Sequence, residues 1–269
     1  MNASMSPSLL QITRVAKSFG GLMAVRNIDL AVANGEIASL IGPNGAGKTT
    51  LFNMITGFVR PTAGTIYFEG RDITAFSPQR AARLGIVRTF QITNVFYRLT
   101  VEQNLEAAQY LQISGPFWQT LVGHRVARER RMRARAHAHQ LLELVGLADL
   151  ASEEARNLPY GQLRLLEIAI GLAASPRLLL LDEPAAGLNT QESSRLVGLL
   201  RRICRERNIT LLLVEHDMDV VMSVSDRVIV MNFGEKIAEG TPDEIKGNPK
   251  VIDAYLGGDL DDISEARNA

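Results

Sequence analysis

The sequence predicts an α/β protein whose central sheet is largely parallel. Short apolar runs of strand character alternate along the chain with longer runs of helical periodicity, which is the pattern of a parallel sheet covered by helices. One of these strands ends in a glycine-rich turn that leads directly into a helix. From about residue 100 to residue 174 the spacing is helical, with runs of Ala, Leu, Arg and Glu, which indicates a helical insert within the α/β domain.

The individual elements follow from these patterns in chain order. Residues 9–15 and 28–32 are predicted to form early antiparallel strands, 36–41 the strand before the glycine-rich turn, and 48–56 the helix after it. Further short apolar runs predict strands at 65–68, 86–89, 178–181, 210–214, 227–231 and 235–238. The acidic segment 258–269 lacks apolar periodicity and is predicted to be a disordered tail, so the folded domain is expected to span residues 8–257.

The composition is that of an ordinary globular protein. The 269 residues include 29 basic and 29 acidic side chains and give a pI near 6.9, which argues against a general binder of nucleic acid or anionic membranes. Cys204 is the single cysteine, so an internal disulfide and a multi-cysteine zinc cluster are excluded. The sequence has neither an apolar stretch long enough to span a bilayer nor a signal-peptide pattern at its start. We therefore expect a cytosolic chain that binds any charged partner through a few locally placed side chains rather than through its net charge.

A phosphate-binding loop is the most specific motif in the chain. Residues 42–49 fit the pattern G-x-x-x-x-G-K-[ST] between a predicted strand and a predicted helix. The glycines let consecutive backbone N–H groups turn toward a phosphate, and the following helix adds its positive N-terminal end. Lys48 is expected to reach the β- and γ-phosphates of a nucleotide, and the Thr49 hydroxyl to bind Mg²⁺. The predicted nucleotide-binding residues of this loop are Gly42, Pro43, Asn44, Gly45, Ala46, Gly47, Lys48, Thr49 and Thr50.

Polar side chains also follow three other predicted strands. The apolar run 178–181 ends in Asp182 and Glu183, at the sheet edge where α/β proteins bind their ligands. With a phosphate loop upstream, Asp182 is expected to organise the Mg²⁺ shell and Glu183 to polarise an attacking water; the alternative is a solvated loop after a core strand. His216 follows another strand and Gln91 a further one. Taken singly, such a histidine is more often structural, and such a glutamine is a polar surface residue.

The order of these motifs resembles that of the ATP-binding cassette (ABC) ATPases. The phosphate loop, Gln91, a helix start at Gly161-Gln162, the acidic pair and His216 occur in the family's order and approximate spacing, over about residues 8 to 256. The resemblance implies a P-loop NTPase core of the RecA type, with an N-terminal antiparallel β subdomain and an α-helical subdomain insert. Finer features are similar to the ATP-binding subunits of branched-chain amino acid importers: RTFQ at 88–91, LLEI at 165–168, DEPAAGLN at 182–189, EHDM at 215–218 and AYLG at 254–257.

The same resemblance implies catalytic and cofactor-binding roles. Phe19 would stack on adenine, with core packing as the alternative for this side chain. Gln91 would contact the metal or the water, Glu183 would be the general base, and His216 would hold the γ-phosphate. The implied metal contacts are Thr49, Gln91 and Asp182.

In this family two ATP molecules are sandwiched between two cassettes, and each ATP also contacts the signature segment of the second cassette. Gly161 and Gln162 would make that contact here. Pro159 stands where a serine is common, and it has neither a hydroxyl nor an N–H to offer a phosphate. We therefore expect a weaker composite site where this signature segment faces the partner's ATP. Asn189 stands where an aspartate is common in the family, although asparagine is common in the importer branch that the chain resembles.

The implied function is that of the ATP-hydrolysing subunit of an ABC importer with ATP and Mg²⁺ as cofactors. It would energise uptake of branched-chain or related hydrophobic amino acids through membrane permease subunits. A second ABC ATPase subunit, in a heterodimer or a homodimer, and indirectly a periplasmic or extracellular substrate-binding protein would complete the system. The chain is expected to be peripheral on the cytoplasmic face of the membrane, without a nucleic-acid partner. A soluble ABC ATPase in repair, translation or cofactor assembly and an importer cassette for urea or amides stay open as alternatives.

Two surface features complete these expectations. The segment 91–100 contains the apolar residues Val95, Phe96 and Tyr97 and is the candidate permease contact, with core packing as the alternative. Six arginines between residues 125 and 135 could suggest a nucleic-acid arm. They fall on a predicted helix, however, and a solvated helix face is the favoured interpretation.

Overall fold

The computed structural model describes residues 8–89, 95–113 and 124–255, with the side chains of these ranges except 110–113 and 124–131. Its strands are β1 (Ser8–Phe19), β2 (Leu22–Ala33), β3 (Ile37–Ile41), β4 (Ala63–Phe68), β5 (Arg71–Asp72), β6 (Ile86–Arg88), β7 (Leu178–Asp182), β8 (Thr210–Val214), β9 (Arg227–Asn232) and β10 (Glu235–Gly240). Its helices are α1 (Lys48–Ile55), α2 (Pro78–Arg83), α3 (Val101–Ile113), α4 (His124–Val145), α5 (Tyr160–Ala173), α6 (Thr190–Arg207), α7 (Met218–Val224) and α8 (Pro242–Lys246). Residues 249–255 are also helical.

The strands form two sheets. The antiparallel sheet has the order β2-β1-β4-β5, and the second, six-stranded sheet has the order β10-β9-β3-β8-β7-β6. In the second sheet β9, β3, β8, β7 and β6 run parallel, and only β10 pairs antiparallel with its neighbour. The predicted α/β class with an N-terminal antiparallel subdomain is therefore confirmed.

The parallel sheet is buried on both faces, which explains why its strands are continuous apolar runs rather than alternating ones. Successive leucines of β7 point to opposite sides. Leu178 and Leu180 join a core shared with the antiparallel sheet and α1. Leu179 and Leu181 join a second core that contains residues of α3, α4, α5 and α6. The carboxyl end of β7 is thereby held between two packed layers.

The predicted strands all occur, and the differences lie mainly at the N-terminal sheet. β1 and β2 are longer than predicted because their extensions pair with each other through exposed polar residues as well as buried ones. β5 was not predicted, since it consists of two exposed residues, Arg71 and Asp72, without an apolar pattern. Gln91 and the predicted tail 258–269 lie outside the described residues.

The helices α3, α4 and α5 lie within the segment predicted to be a helical insert. Arg133 and Arg135 of the arginine-rich stretch are exposed on α4, and the Arg135 guanidinium pairs with the carboxylate of Glu102 on α3 at 2.8 Å. None of the described helices combines the length and the apolar character needed to cross a membrane.

Candidate nucleotide site

The phosphate loop connects β3 to α1, and two of its glycines are required by close backbone approach. Gly42 has a φ of 147°, and a Cβ there would lie 2.0 Å from the carbonyl oxygen of Met231. Gly47 has a φ of 97°, and its Cβ would lie 2.4 Å from the carbonyl oxygen of Ala24. A side chain at either position would clash with neighbouring backbone, so the loop is held tightly against β9 and β2.

Lys48 is the first residue of α1 and is buried. Its Nζ donates to the carbonyl oxygens of Gly42, at 2.6 Å, and Pro43, at 2.9 Å. Burial lowers the pKa of Lys48, and the nearby carboxylates of Glu183 and Asp182 oppose that shift. The ammonium group is thus held inside the loop by weak neutral acceptors, which a phosphate oxygen could replace.

Glu183 and His216 meet at the carboxyl edge of the parallel sheet. The Nε2 atom of His216 lies 2.9 Å from Oε1 of Glu183. The Glu183 N–H donates to the carbonyl oxygen of Val214 at 2.8 Å, which links the ends of β7 and β8. Glu183 has a φ of 47°, an unfavourable conformation for a residue with a long side chain. Such strain is concentrated at functional sites, where the surrounding structure maintains it.

Glu215 supports this arrangement through backbone hydrogen bonds and was not predicted as a site residue. Its buried carboxylate accepts hydrogen bonds from the backbone N–H groups of Ala185, at 2.7 Å, and His216, at 3.1 Å. Burial raises the pKa of Glu215, and these hydrogen bonds partly offset that shift. The carboxylate therefore ties the segment after β7 to the residue that carries the imidazole.

Arg88 is a second site residue that the sequence did not indicate by itself. Its guanidinium lies 2.5 Å from Oδ2 of Asp182 and 2.6 Å from Oδ1 of Asn53 on α1. It also lies over the ring of Phe52, with 5.5 Å between the guanidinium carbon and the ring centroid. Arg88 thus joins the helix after the phosphate loop to the acidic end of β7.

A cavity of about 340 Å³ opens over the phosphate loop. Its lining brings most of the predicted phosphate-loop residues together with both members of the Glu183–His216 pair. The lining residues are Leu22, Met23, Ala24, Arg26, Asn44, Gly45, Ala46, Gly47, Lys48, Thr49, Thr50, Glu183, Val214, His216 and Phe233. Several backbone amides, one ammonium group and two hydroxyls thus share a concave space with a carboxylate and an imidazole, which suits a polyphosphate.

Other predicted site residues lie outside this lining within the described part of the chain. Phe19, at the end of β1, is 48% exposed, and Nζ of Lys17 lies 4.9 Å from its ring centroid. Gly161 and Gln162 lie at the start of α5, where a Cβ on Gly161 would be 2.5 Å from Oε1 of Glu192. The contacts expected of Phe19, with adenine, and of Gly161 and Gln162, with a partner's nucleotide, therefore stay predictions.

The residues present suit a metal ion that is held mainly by its nucleotide. Among the described residues no group of three or more His, Cys, Asp or Glu side chains could hold a metal by itself. Thr49 lines the cavity, and Asp182 lies close enough to act electrostatically on Lys48. A hydroxyl and a single carboxylate are a donor set that fits Mg²⁺, which commonly takes its remaining ligands from water and substrate phosphates.

Comparison with known proteins places this site in a family. The sequence pattern of the ABC transporter family matches residues 25–186, which include the phosphate loop, Asp182 and Glu183. The chain belongs to the ABC transporter family. It is an ATP-binding cassette, and as in other members of this family its ligand is ATP and its reaction is ATP hydrolysis. The pattern of the branched-chain amino acid ATP-binding cassette transporters matches residues 235–261 of the cassette.

Named relatives resemble this cassette over nearly its whole length. The high-affinity branched-chain amino acid transport ATP-binding protein LivG of Salmonella typhimurium is 46% identical over 253 residues, which cover 94% of this chain and 99% of the relative. The corresponding protein BraF of Pseudomonas aeruginosa is 44% identical over the same shares of both chains. Among solved structures, the ADP conformation of an ATP-binding cassette of an ABC transporter superposes with a TM-score of 0.82 at 32% identity, covering 93% of this chain and 99% of that one.

Proposed function

We propose that this cassette is the ATP-hydrolysing subunit of an importer for branched-chain amino acids. The observation that carries the chemistry is the Glu183–His216 pair, joined at 2.9 Å, in a cavity lined by the phosphate loop. The substrate class is supported by the likeness to LivG and BraF over 94% of the chain. Resemblance to these relatives alone favours leucine, isoleucine and valine over urea or amides.

In the proposed mechanism the residues of the cavity stabilise charge rather than form a covalent intermediate. The amides of the phosphate loop and the Lys48 ammonium would meet the negative charge that develops on the γ-phosphoryl group. Glu183 would orient and deprotonate the attacking water, and His216 would hold the γ-phosphate beside it. Mg²⁺, when bound with ATP, would neutralise charge on the phosphate oxygens. Thr49, Asp182 and Gln91 are the residues proposed to hold it.

A second cassette is proposed to complete each site. Gly161 and Gln162 stand outside the lining of the cavity of their own chain, at the start of α5. This position suits contact with a nucleotide on a partner subunit. A heterodimer or a homodimer would satisfy this geometry equally well.

The permease contact is proposed to use the residues around Phe96. Phe96 is 52% exposed and Tyr97 is also exposed, whereas Val95 is buried and contributes to the core rather than to a surface. Two exposed aromatic side chains side by side are suited to a protein interface. Docking there would place the cassette peripherally on the cytoplasmic face of the membrane.

Phe96→Asp should reduce co-purification with the permease subunits, while Phe58→Asp, at another exposed phenylalanine, should not. Intact assembly of the Phe96 variant would refute this contact.

The decisive test compares Glu183→Gln with the wild-type cassette in the reconstituted transporter. ATP hydrolysis should fall by a factor of about 10² to 10⁴, the usual contribution of general-base catalysis, while ATP binding is retained. Uptake of radiolabelled leucine into proteoliposomes should fall with hydrolysis. Normal turnover by the variant would refute the role of Glu183. Uptake of urea or an amide in place of leucine would refute the substrate class but leave the catalytic assignment intact.

A further inference from the structure

Phe233 occupies the two-residue turn between β9 and β10, at the mouth of the nucleotide cavity. Its side chain is 74% exposed, yet it lines the same cavity as the phosphate loop. Leu22 and Met23, at the start of β2, line the cavity too and are also exposed. Large apolar side chains therefore line part of a cavity that also contains the Lys48 ammonium and the Glu183 carboxylate, as expected where the ligand has a flat apolar portion as well as charged groups.

The backbone of this turn is unfavourable for phenylalanine. Phe233 has a φ of 43° and Gly234 a φ of 82°, so both central residues of the hairpin turn have positive φ. Hairpin turns of this kind strongly prefer Asn-Gly, because asparagine tolerates the left-handed region and bulky side chains do not. A residue kept in a strained conformation beside a ligand cavity indicates a function that outweighs the loss of stability.

The position of Phe233 is fixed relative to the phosphate loop. The N–H of Gly234 donates to the carbonyl oxygen of Ala46 at 3.1 Å, and the carbonyl oxygen of Gly234 accepts from the N–H of Arg26 at 2.7 Å. A Cβ on Gly234 would lie 2.9 Å from the carbonyl oxygen of Ala24. The turn is thus attached on one side to the loop that holds phosphate and on the other to β2, next to Leu22 and Met23.

We propose that Phe233 contacts the nucleobase of the ATP bound on the phosphate loop. The contact makes the site prefer a nucleoside triphosphate over inorganic triphosphate, and it is separate from the one predicted for Phe19. It rests on the proposed function, because ATP must be the ligand of the cavity. Aromatic rings recognise a base through its π-face, and loss of one such stacking contact weakens binding by about 5- to 100-fold.

The test measures the affinity of the purified cassette for ATP and for inorganic tripolyphosphate by calorimetry, both with Mg²⁺. Phe233→Asn should weaken ATP binding by about 5- to 100-fold and leave tripolyphosphate binding within about twofold of wild type. Its melting temperature without nucleotide should stay the same or rise, because asparagine suits the positive φ. Phe233→Trp should retain the affinity for ATP. Phe58→Asn removes another exposed phenylalanine and should leave both affinities unchanged.

Two results would overturn the proposal: unchanged ATP affinity in Phe233→Asn, or an equal loss of ATP and tripolyphosphate, which would indicate a displaced phosphate loop. Failure of the proposed function has a different signature. In that case the wild-type cassette itself would bind neither ligand, or Lys48→Ala would leave the affinity for both unchanged.

Discussion

Removal of the Arg88 guanidinium should lower the free energy of unfolding by an unusually large amount for a single substitution. The Arg88 side chain is 5% exposed and that of Asp182 is 13% exposed, so this ion pair is almost fully buried. Arg88→Met keeps the length and apolar stem of the side chain but leaves the Asp182 carboxylate without its cation. The oxygen of Asn53 also loses a charged donor. Breaking a buried pair in this way costs about 3–5 kcal/mol.

The measurement is urea unfolding of the nucleotide-free cassette, followed by circular dichroism. Arg26→Met is the matched control, because its pair with Glu235 is 50% and 59% exposed and such pairs contribute about 0–1 kcal/mol. The double variant with Asp182→Asn should lose less than the sum of the two single losses, since the unpaired charge is then gone. A loss for Arg88→Met no larger than that of the control, or strictly additive losses, would refute this account of the pair.

Three further predictions concern the nucleotide site and its supports. Lys48→Ala should weaken ATP binding by about 10- to 100-fold, because a charged hydrogen-bond donor is lost; Lys246→Ala, on the exposed end of α8, should bind as wild type in the same calorimetric titration. Pro159→Ser should raise ATP hydrolysis by the assembled transporter about 5- to 10-fold, because it restores a hydroxyl at the residue preceding α5; an unchanged rate would contradict the predicted weak composite site. Folding raises the pKa of Glu215 above its ordinary value of 4.5, so its contribution to stability is present below that pH and is lost as the pH rises through the folded-state value. The unfolding free energy of the wild type minus that of Glu215→Gln should therefore decrease as the pH is raised from about 4, and a constant difference across a pH series would contradict the shift.

The part of the site that was predictable depends on local sequence patterns. A phosphate loop is contiguous, and Glu183 and His216 each follow an apolar strand, so the rule that parallel strands end at one sheet edge brings them together. The strands of the parallel sheet could also be predicted, because each is a local apolar run in the sequence.

The supporting residues could not be found in this way. Arg88 acts through Asn53 and Asp182, which are 35 and 94 positions away along the chain. Phe233 carries no helical or strand periodicity, and its significance comes from a backbone dihedral and from a cavity that forms only in the folded chain. Contacts at long sequence separation leave no periodic pattern in the sequence, so the three-dimensional arrangement is needed to see them.

The shared core of sheet and helices limits how this cassette could be recombined with its relatives. Leu105 of α3 and Leu141 of α4 are buried in the same cluster as Leu179 and Leu211 of the parallel sheet. Cutting out residues 100–174 would expose apolar surface on both the fragment and the remaining domain, so neither piece is expected to fold by itself. A chimera that takes these helices from another transporter must also keep the side-chain volume matched at the sheet-facing leucines. Overpacking or cavities there would destabilise β7, the strand that precedes Glu183. To change which permease the cassette binds, substitutions at exposed positions such as Phe96 and Tyr97 are therefore preferable to exchange of the whole helical segment.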